Sequence, residues 1–147
     1  MNEYHIKISN LLACLWLLSV LVWSPVEAEE KAPESVEGAV TISAEQAKAM
    51  FDEGVVFVDV RNPRLYARKH IPGAHHLDLK SAFDKASLEA IIDYEEPVVI
   101  YCSGAKCSRS SRAAAFAVSW GFKKVHYFRG GIVDWKNASY PVETSDL

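Results

Sequence analysis

"PVVIYC", residues 97–102, runs directly into "SGAKCSRSSRAAAFAVSWGF", residues 103–122. The first piece is a continuous apolar run without alternation, the pattern of a strand covered on both faces, and such strands belong to parallel sheets. The second opens with serine, glycine and cations, turns alanine-rich and stops at Gly121, which predicts a helix from about Ser108 to Trp120. Cys102 therefore ends a buried strand and begins a loop that feeds a helix.

Working outward, the same alternation recurs. Upstream, "VVFVDV" (55–60) is a second buried run with one acid near its end. Before it, "AVTI" (39–42) predicts a short strand and "SAEQAKAMFDEG" (43–54) a helix, with Ser43 as N-cap, Gln46 completing a capping box and Gly54 as the stop. "RNPRLYARKH" (61–70) predicts a short helix begun by Asn62 and Pro63, "IPGA" a turn, and "HHLDL" (75–79) a short strand. "SAFDKASLEAIIDY" (81–94) has helical spacing through Phe83, Leu88, Ile91 and Ile92; "KVHYF" (124–128) is the last strand, and "GGIVDWKNA" opens a final short helix. Strands alternating with helices predict an α/β fold with a mainly parallel sheet between helical layers. In such sheets, sites lie at the carboxyl ends of strands, where Cys102 is.

Size and charge bound the rest. With 147 residues, 50% apolar and 11% aromatic, the chain buries one ordinary core, and length argues against a second domain. The formal charge of −3 comes from interspersed acids and bases, so there is no basic stripe for nucleic acid or an anionic membrane.

The first residues read differently. Lys7 precedes a run, Leu11 to Trp23, that is apolar apart from Ser19 and is shorter than the roughly 18–20 residues that span a bilayer. Val26 and Ala28 then satisfy the small-residue rule for cleavage before Glu29. Residues 1–28 are expected to be a cleaved signal peptide that sends the protein to a periplasmic or secreted location, with no membrane attachment of the mature domain. The alternative is an uncleaved N-terminal anchor, since Glu3 offsets Lys7. Residues 29–38, "EEKAPESVEG", are acidic and offer little to bury, so they read as a flexible lead-in to a domain covering 39–147.

Two cysteines, Cys102 and Cys107, remain after such cleavage. A thiolate is favoured by cations and by the free amides of a helix N-terminus. Lys106 and Arg109 bring the charge, Gly104 lets the backbone curl, and the helix after Ser108 adds its positive end, with Ser108 and Ser110 helping to start it. This surrounding favours Cys102 as a nucleophile over the competing description, a strand-end cysteine that is merely buried. Asp59 could orient the loop or Arg61, but a structural, salt-bridging role fits both better. His70, His75 and His76 do not complete a zinc set, and His70 better secures the turn before Pro72. Trp120, Phe122 and Trp135 read as core.

Four motifs in order make the chain resemble a single-domain rhodanese, the sulfurtransferase family: "VDVRNPRLYARKHIPGAHHLD"; "VVIYC" with its loop; "RAAAFAVSWGFKKV"; and "FRGGIVDW". The likeness covers nearly the whole domain, from "AVTISAEQAKAMF" to "YPV". It implies a five-stranded parallel sheet flanked by helices, Cys102 as the sulfur-accepting residue, and no metal or organic cofactor. The implied reaction moves sulfane sulfur from thiosulfate or another persulfide donor to a small thiol or protein acceptor, through a persulfide on Cys102. The loop residues Ser103, Gly104, Ala105, Lys106, Cys107, Ser108 and Arg109 would hold the sulfur and its anionic donor.

The loop departs from the family's usual six-residue cradle, since here the pattern is Cys-x-Gly-x-x-Cys-x-x-Ser, which resembles a subgroup with a second cysteine and a longer loop. Cys107 is then either a resolving thiol, able to pair reversibly with Cys102, or a cysteine packed under the loop. Two other functions stay open: a thiol-disulfide oxidoreductase using Cys102 and Cys107, although their spacing is not Cys-x-x-Cys, and a non-catalytic sulfur- or anion-binding module. A phosphatase built on a related cradle needs arginine six residues after the nucleophile, where this chain has Ser108.

Overall fold

The computed structural model describes residues 31–146; the expected signal peptide, residues 1–28, lies outside them. Among the described residues ten elements alternate: β1 (Val40–Thr41), α1 (Ala44–Asp52), β2 (Val56–Asp59), α2 (Pro63–Arg68), β3 (His75–His76), α3 (Lys85–Glu89), β4 (Pro97–Tyr101), α4 (Arg109–Ser119), β5 (Lys124–Phe128) and α5 (Gly131–Asn137). The strands form one sheet in the order β1-β5-β4-β2-β3, and every pairing is parallel.

β4 is central, flanked by β2 and β5, and Val98 through Tyr101 have no exposed surface. This is why its sequence shows no alternation: both faces are covered. Val98, Ile100 and Cys102 belong to the core under α3 and α4, beside Ala113, Ala114 and Ala117, whose small side chains let α4 lie close to the sheet. Val99 and Tyr101 belong to the opposite core under α1 and α5, which is aromatic, with Phe57, Phe128 and a fully buried Trp135. The Trp135 indole N–H donates to Pro141 O at 2.6 Å, satisfying the one polar group that this burial would otherwise strand.

The helix starts follow local chemistry. Ser43 and Gln46 form the reciprocal capping box, and the Asn62 side chain accepts from Leu65 N at 3.0 Å ahead of Pro63. Elsewhere the expected elements shrink. The helix expected over 81–94 is confined to Lys85–Glu89, because Asp84 caps it at Ser87 N, and the three amides of residues 81–83 turn back onto Asp78 O. The strand expected over 75–79 keeps only two residues.

The flexible lead-in expected over 29–38 is a further correction, for its described part. Ala32 is 2% exposed and donates to Ala105 O at 3.0 Å; Arg129 binds the carbonyls of Ala32 and Pro33, and Tyr127 Oη donates to Pro33 O at 3.0 Å. Val36 packs on the α4-side core. The strap is held chiefly through its backbone, so its polar composition gave no sign of the docking.

Candidate active site

Cys102 lies one residue beyond β4, 1% exposed, on the α4 side of the sheet. Three neighbours fix the backbone after it. Ile132 N donates to Cys102 O at 3.0 Å and Val133 N to Ser103 O at 3.1 Å, so the loop leaving β4 is laced to the first turn of α5. On its other side, Ala105 O takes the bond from Ala32 N. The lacing requires glycine at the first residue of α5: Gly131 has φ +56°, and a Cβ there would overlap the Cys102 carbonyl. At Gly104 a Cβ would stand 3.2 Å from Gly130 O, tighter than most side chains tolerate.

Within the loop, Cys107 N donates to Gly104 O at 2.9 Å and closes a turn around Ala105 and Lys106. That turn brings Cys107 back to Cys102, and the two form a disulfide with Cα atoms 6.5 Å apart. The pairing left open by the sequence is thus present. Ser103, Gly104, Ala105, Cys107 and Ser108 are half-buried around it, and Lys106 is exposed at the tip.

Three residues given roles in this loop or at the helix start behave differently from expectation. Arg109 does not stand free beside the sulfur: its Nη1 donates to Asp78 Oδ1 at 2.8 Å, a carboxylate 31 positions away in sequence. The Ser108 side chain makes no capping bond, although its carbonyl accepts from Arg112 N and from Ser111 Oγ. Ser110 Oγ is buried and has no hydrogen-bond partner among the described residues. The helix start still presents amides that the helix ladder cannot use, the feature that favours an anion there.

Asp59 and Arg61 are brought together next to the loop, at the end of β2, and their chemistry is internal. Arg61 Nε and Nη2 meet both Asp59 oxygens at 2.5–3.0 Å, and Nη2 also donates to Lys69 O at 2.8 Å. Asp59 has no exposed surface and Arg61 is 4% exposed. Burial pulls the Arg61 guanidinium downward, but its hydrogen bonds to Asp59 and the Asp59 charge outweigh this and hold it above its ordinary value. Burial, followed by the Asp59 charge, pushes the Tyr101 phenol well above its usual range, and Tyr101 Oη accepts from Ile71 N at 3.1 Å. The group is buried and hydrogen-bonded within the fold, and Arg61 reaches the wall of a cleft beside Ser103.

The histidines are likewise engaged. The His70 ring faces Tyr66 O at 2.9 Å and Glu143 Oε1 at 3.0 Å, while Glu143 Oε1 also accepts from Gly73 N, which ties down the turn around Pro72. His76 Nε2 faces Arg61 O at 2.8 Å, and His75 is exposed.

Sequence reasoning missed a cleft of about 290 Å3 beside Ser103, between α2 and α5. Arg61, Arg68, Lys69 and Lys136 supply its polar walls, Leu65 and Val133 part of its apolar surface, and among the described residues no carboxylate lines it. Among the described residues no salt bridge engages Arg68, Lys69 or Lys136, so the cleft carries net positive charge. A partial signal existed: α2 and α5 follow β2 and β5, the strands on either side of β4, but the cations lie at the far ends of these helices, at Arg68, Lys69 and Lys136.

With this geometry in hand, the relatives are informative. The family model for the rhodanese-like domain matches residues 43–138. Thiosulfate sulfurtransferase GlpE of Pseudomonas fluorescens is 40% identical over 104 residues, 71% of this chain and 90% of that protein; the enzyme of the same name from Pseudomonas entomophila is 41% identical with the same coverage. Among solved structures, the Alr3790 protein from Anabaena superimposes with a TM-score of 0.62 at 25% identity, covering 72% of this chain and 94% of that one.

Proposed function

The chain belongs to the rhodanese-like domain family, and from that premise we propose a thiosulfate sulfurtransferase that carries sulfane sulfur on Cys102. The observation that carries the residue assignment is the position of Cys102: the end of the central strand, at the head of a laced loop that leads into α4. The Cys102 thiolate attacks the outer sulfur of thiosulfate; the S–S bond of the donor breaks, sulfite leaves with the bonding pair, and a persulfide remains on Cys102. An acceptor thiolate then attacks the outer sulfur of that persulfide and Cys102 leaves as thiolate. The α4 amides and exposed Lys106 favour the charged sulfur, and the Arg68–Lys69–Lys136 cleft draws in the anionic donor or acceptor. Arg109, paired with Asp78, supports the loop from behind.

Since Cys102 is bonded to Cys107, the reaction starts only after a thiol reductant has opened the disulfide. We also place the protein outside the cytoplasm, exported by residues 1–28 to the periplasm or medium. The apolar Leu11–Trp23 run and the small residues Val26 and Ala28 support this, and a disulfide persists in such a compartment.

The test uses the reduced Cys107→Ser chain, freed of reductant and mixed with thiosulfate. Its intact mass should rise by one sulfur with release of sulfite, and cyanide should then remove that sulfur as thiocyanate. With Cys14→Ser in both, the Cys102→Ser/Cys107→Ser chain should gain nothing. Sulfur uptake by the double variant, or none by Cys107→Ser, would remove Cys102 from the role.

A further inference from the structure

We propose a second activity for the same loop: Cys107 resolves the Cys102 persulfide internally, releasing sulfide, so that the protein reduces sulfane sulfur at the expense of a dithiol. The inference rests on the reading that Cys102 takes up sulfur. What the structure adds is the sulfur that Cys107 reaches. Its bond is to Cys102 Sγ itself, which in the loaded protein is the inner sulfur of the persulfide. An external acceptor removes the outer sulfur; Cys107 is placed for the other electrophile.

The step balances without any further reactant. The Cys107 thiolate attacks Cys102 Sγ, the Sγ–Sγ bond forms, and the bond from Cys102 Sγ to the outer sulfur breaks. The outer sulfur leaves with the electron pair as hydrosulfide, carrying the proton that Cys107 gave up. Both cysteine sulfurs are oxidised by one electron each, and the sulfane sulfur is reduced by two. The product is the disulfide seen here. A dithiol resets it by exchange, so one cycle converts thiosulfate and a dithiol into sulfite, sulfide and the dithiol's disulfide.

The loop favours this route in three ways. The Cys107 N to Gly104 O turn returns Cys107 to Cys102 across five positions, so the attack is intramolecular and its effective concentration exceeds that of a dilute external thiol. The lacing of Cys102, Ser103 and Ala105 to Ile132, Val133 and Ala32 holds the loop's shape. Cys107 also packs on the apolar cluster that contains Cys102, which disfavours two separate charges there and favours the neutral disulfide once hydrosulfide has gone.

A single-turnover experiment separates the outcomes. The full chain, every form carrying Cys14→Ser so that Cys102 and Cys107 are its only native cysteines, is reduced, desalted and given one equivalent of thiosulfate with no other thiol present; sulfide, sulfite and intact mass are followed in time. The wild type should release sulfide in step with sulfite and end two hydrogens lighter. Cys107→Ser and Cys107→Ala should instead release sulfite alone and retain one added sulfur, with sulfide formation slowed at least tenfold; circular dichroism verifies that both are folded. With excess dithiothreitol, only the wild type should turn over thiosulfate to sulfide at the faster rate. A wild type that keeps its persulfide as long as the Cys107 variants overturns the proposal and leaves the sulfurtransferase standing. If no form of the chain takes up sulfur, the transferase reading and this one fall together.

Discussion

β2 and β4 are paired strands whose ends lie side by side, Asp59 opposite Tyr101, yet their exits are built from different materials. Beyond β4 the chain is held by backbone: Cys102 O, Ser103 O and Ala105 O each take an amide from another segment. Beyond β2 a buried ion pair is added to the backbone bonds that Asp59 O and Val60 O take from Leu77 N and Leu79 N: Asp59 grips Arg61, and Arg61 grips Lys69 O. A loop fixed through carbonyls and amides leaves its side chains free for chemistry. One fixed through a buried ion pair has used them. The two exits thus divide the work, and only the β4 exit retains a nucleophile.

The sharpest way to break this contrast is to uncharge the β2 exit. Asp59→Asn leaves the Arg61 guanidinium buried beside a neutral amide, and losing one partner of a buried pair costs about 3–5 kcal/mol. Urea unfolding should show that loss, and Asp59→Leu with Arg61→Met should recover a large part of it, because the pair is scaffold. No recovery would mean that the charges serve more than the fold.

How much of this was legible follows the same division. The apolar runs of β2 and β4, the Ser43 and Asn62 caps and the place of Cys102 at a strand end are local patterns, and the sequence carries local patterns openly. Arg109 could not be placed, because its partner Asp78 is far away in sequence and an arginine near a cysteine looks the same whether free or engaged. The helix expected over 81–94 ran too long because Phe83, Leu88 and Ile92 all face one core, whether they come from a helix or from the turns around it. Ala32 was invisible for the opposite reason to Arg109: what docks it is mostly main chain, which has no composition.

The backbone-held exit is broken next by adding one carbon. Gly131→Ala places a methyl on the Cys102 carbonyl at φ +56°, whereas Gly54→Ala, at φ +81°, meets nothing within 4 Å. The left-handed conformation alone costs about 1–2 kcal/mol in either variant. Overpacking adds about 1 kcal/mol at Gly131 only. Thermal melting should therefore rank Gly131→Ala below Gly54→Ala, and sulfur uptake by Cys102 should slow at least tenfold in the former while Gly54→Ala tracks the wild type. Equal uptake in both would show that the lacing to α5 does not set the loop's chemistry.

The smallest effect tests whether the strap belongs to the loop or only rests on it. Arg129 holds the Ala32 and Pro33 carbonyls with bonds of 3.0–3.3 Å near the surface, so Arg129→Gln should cost only about 1 kcal/mol of global stability. The informative quantity is local opening, since amide exchange reports segments that loosen without unfolding the whole. Ala32 N is bonded to Ala105 O, and Ala105 lies inside the turn that Cys107 N and Gly104 O close. If strap and loop form one unit, exchange at Ala32 and at Cys107 should accelerate together in Arg129→Gln. Acceleration at Ala32 alone would make the strap a cover, and would leave the lacing to Ile132 and Val133 as the restraint that keeps Cys107 within reach of Cys102.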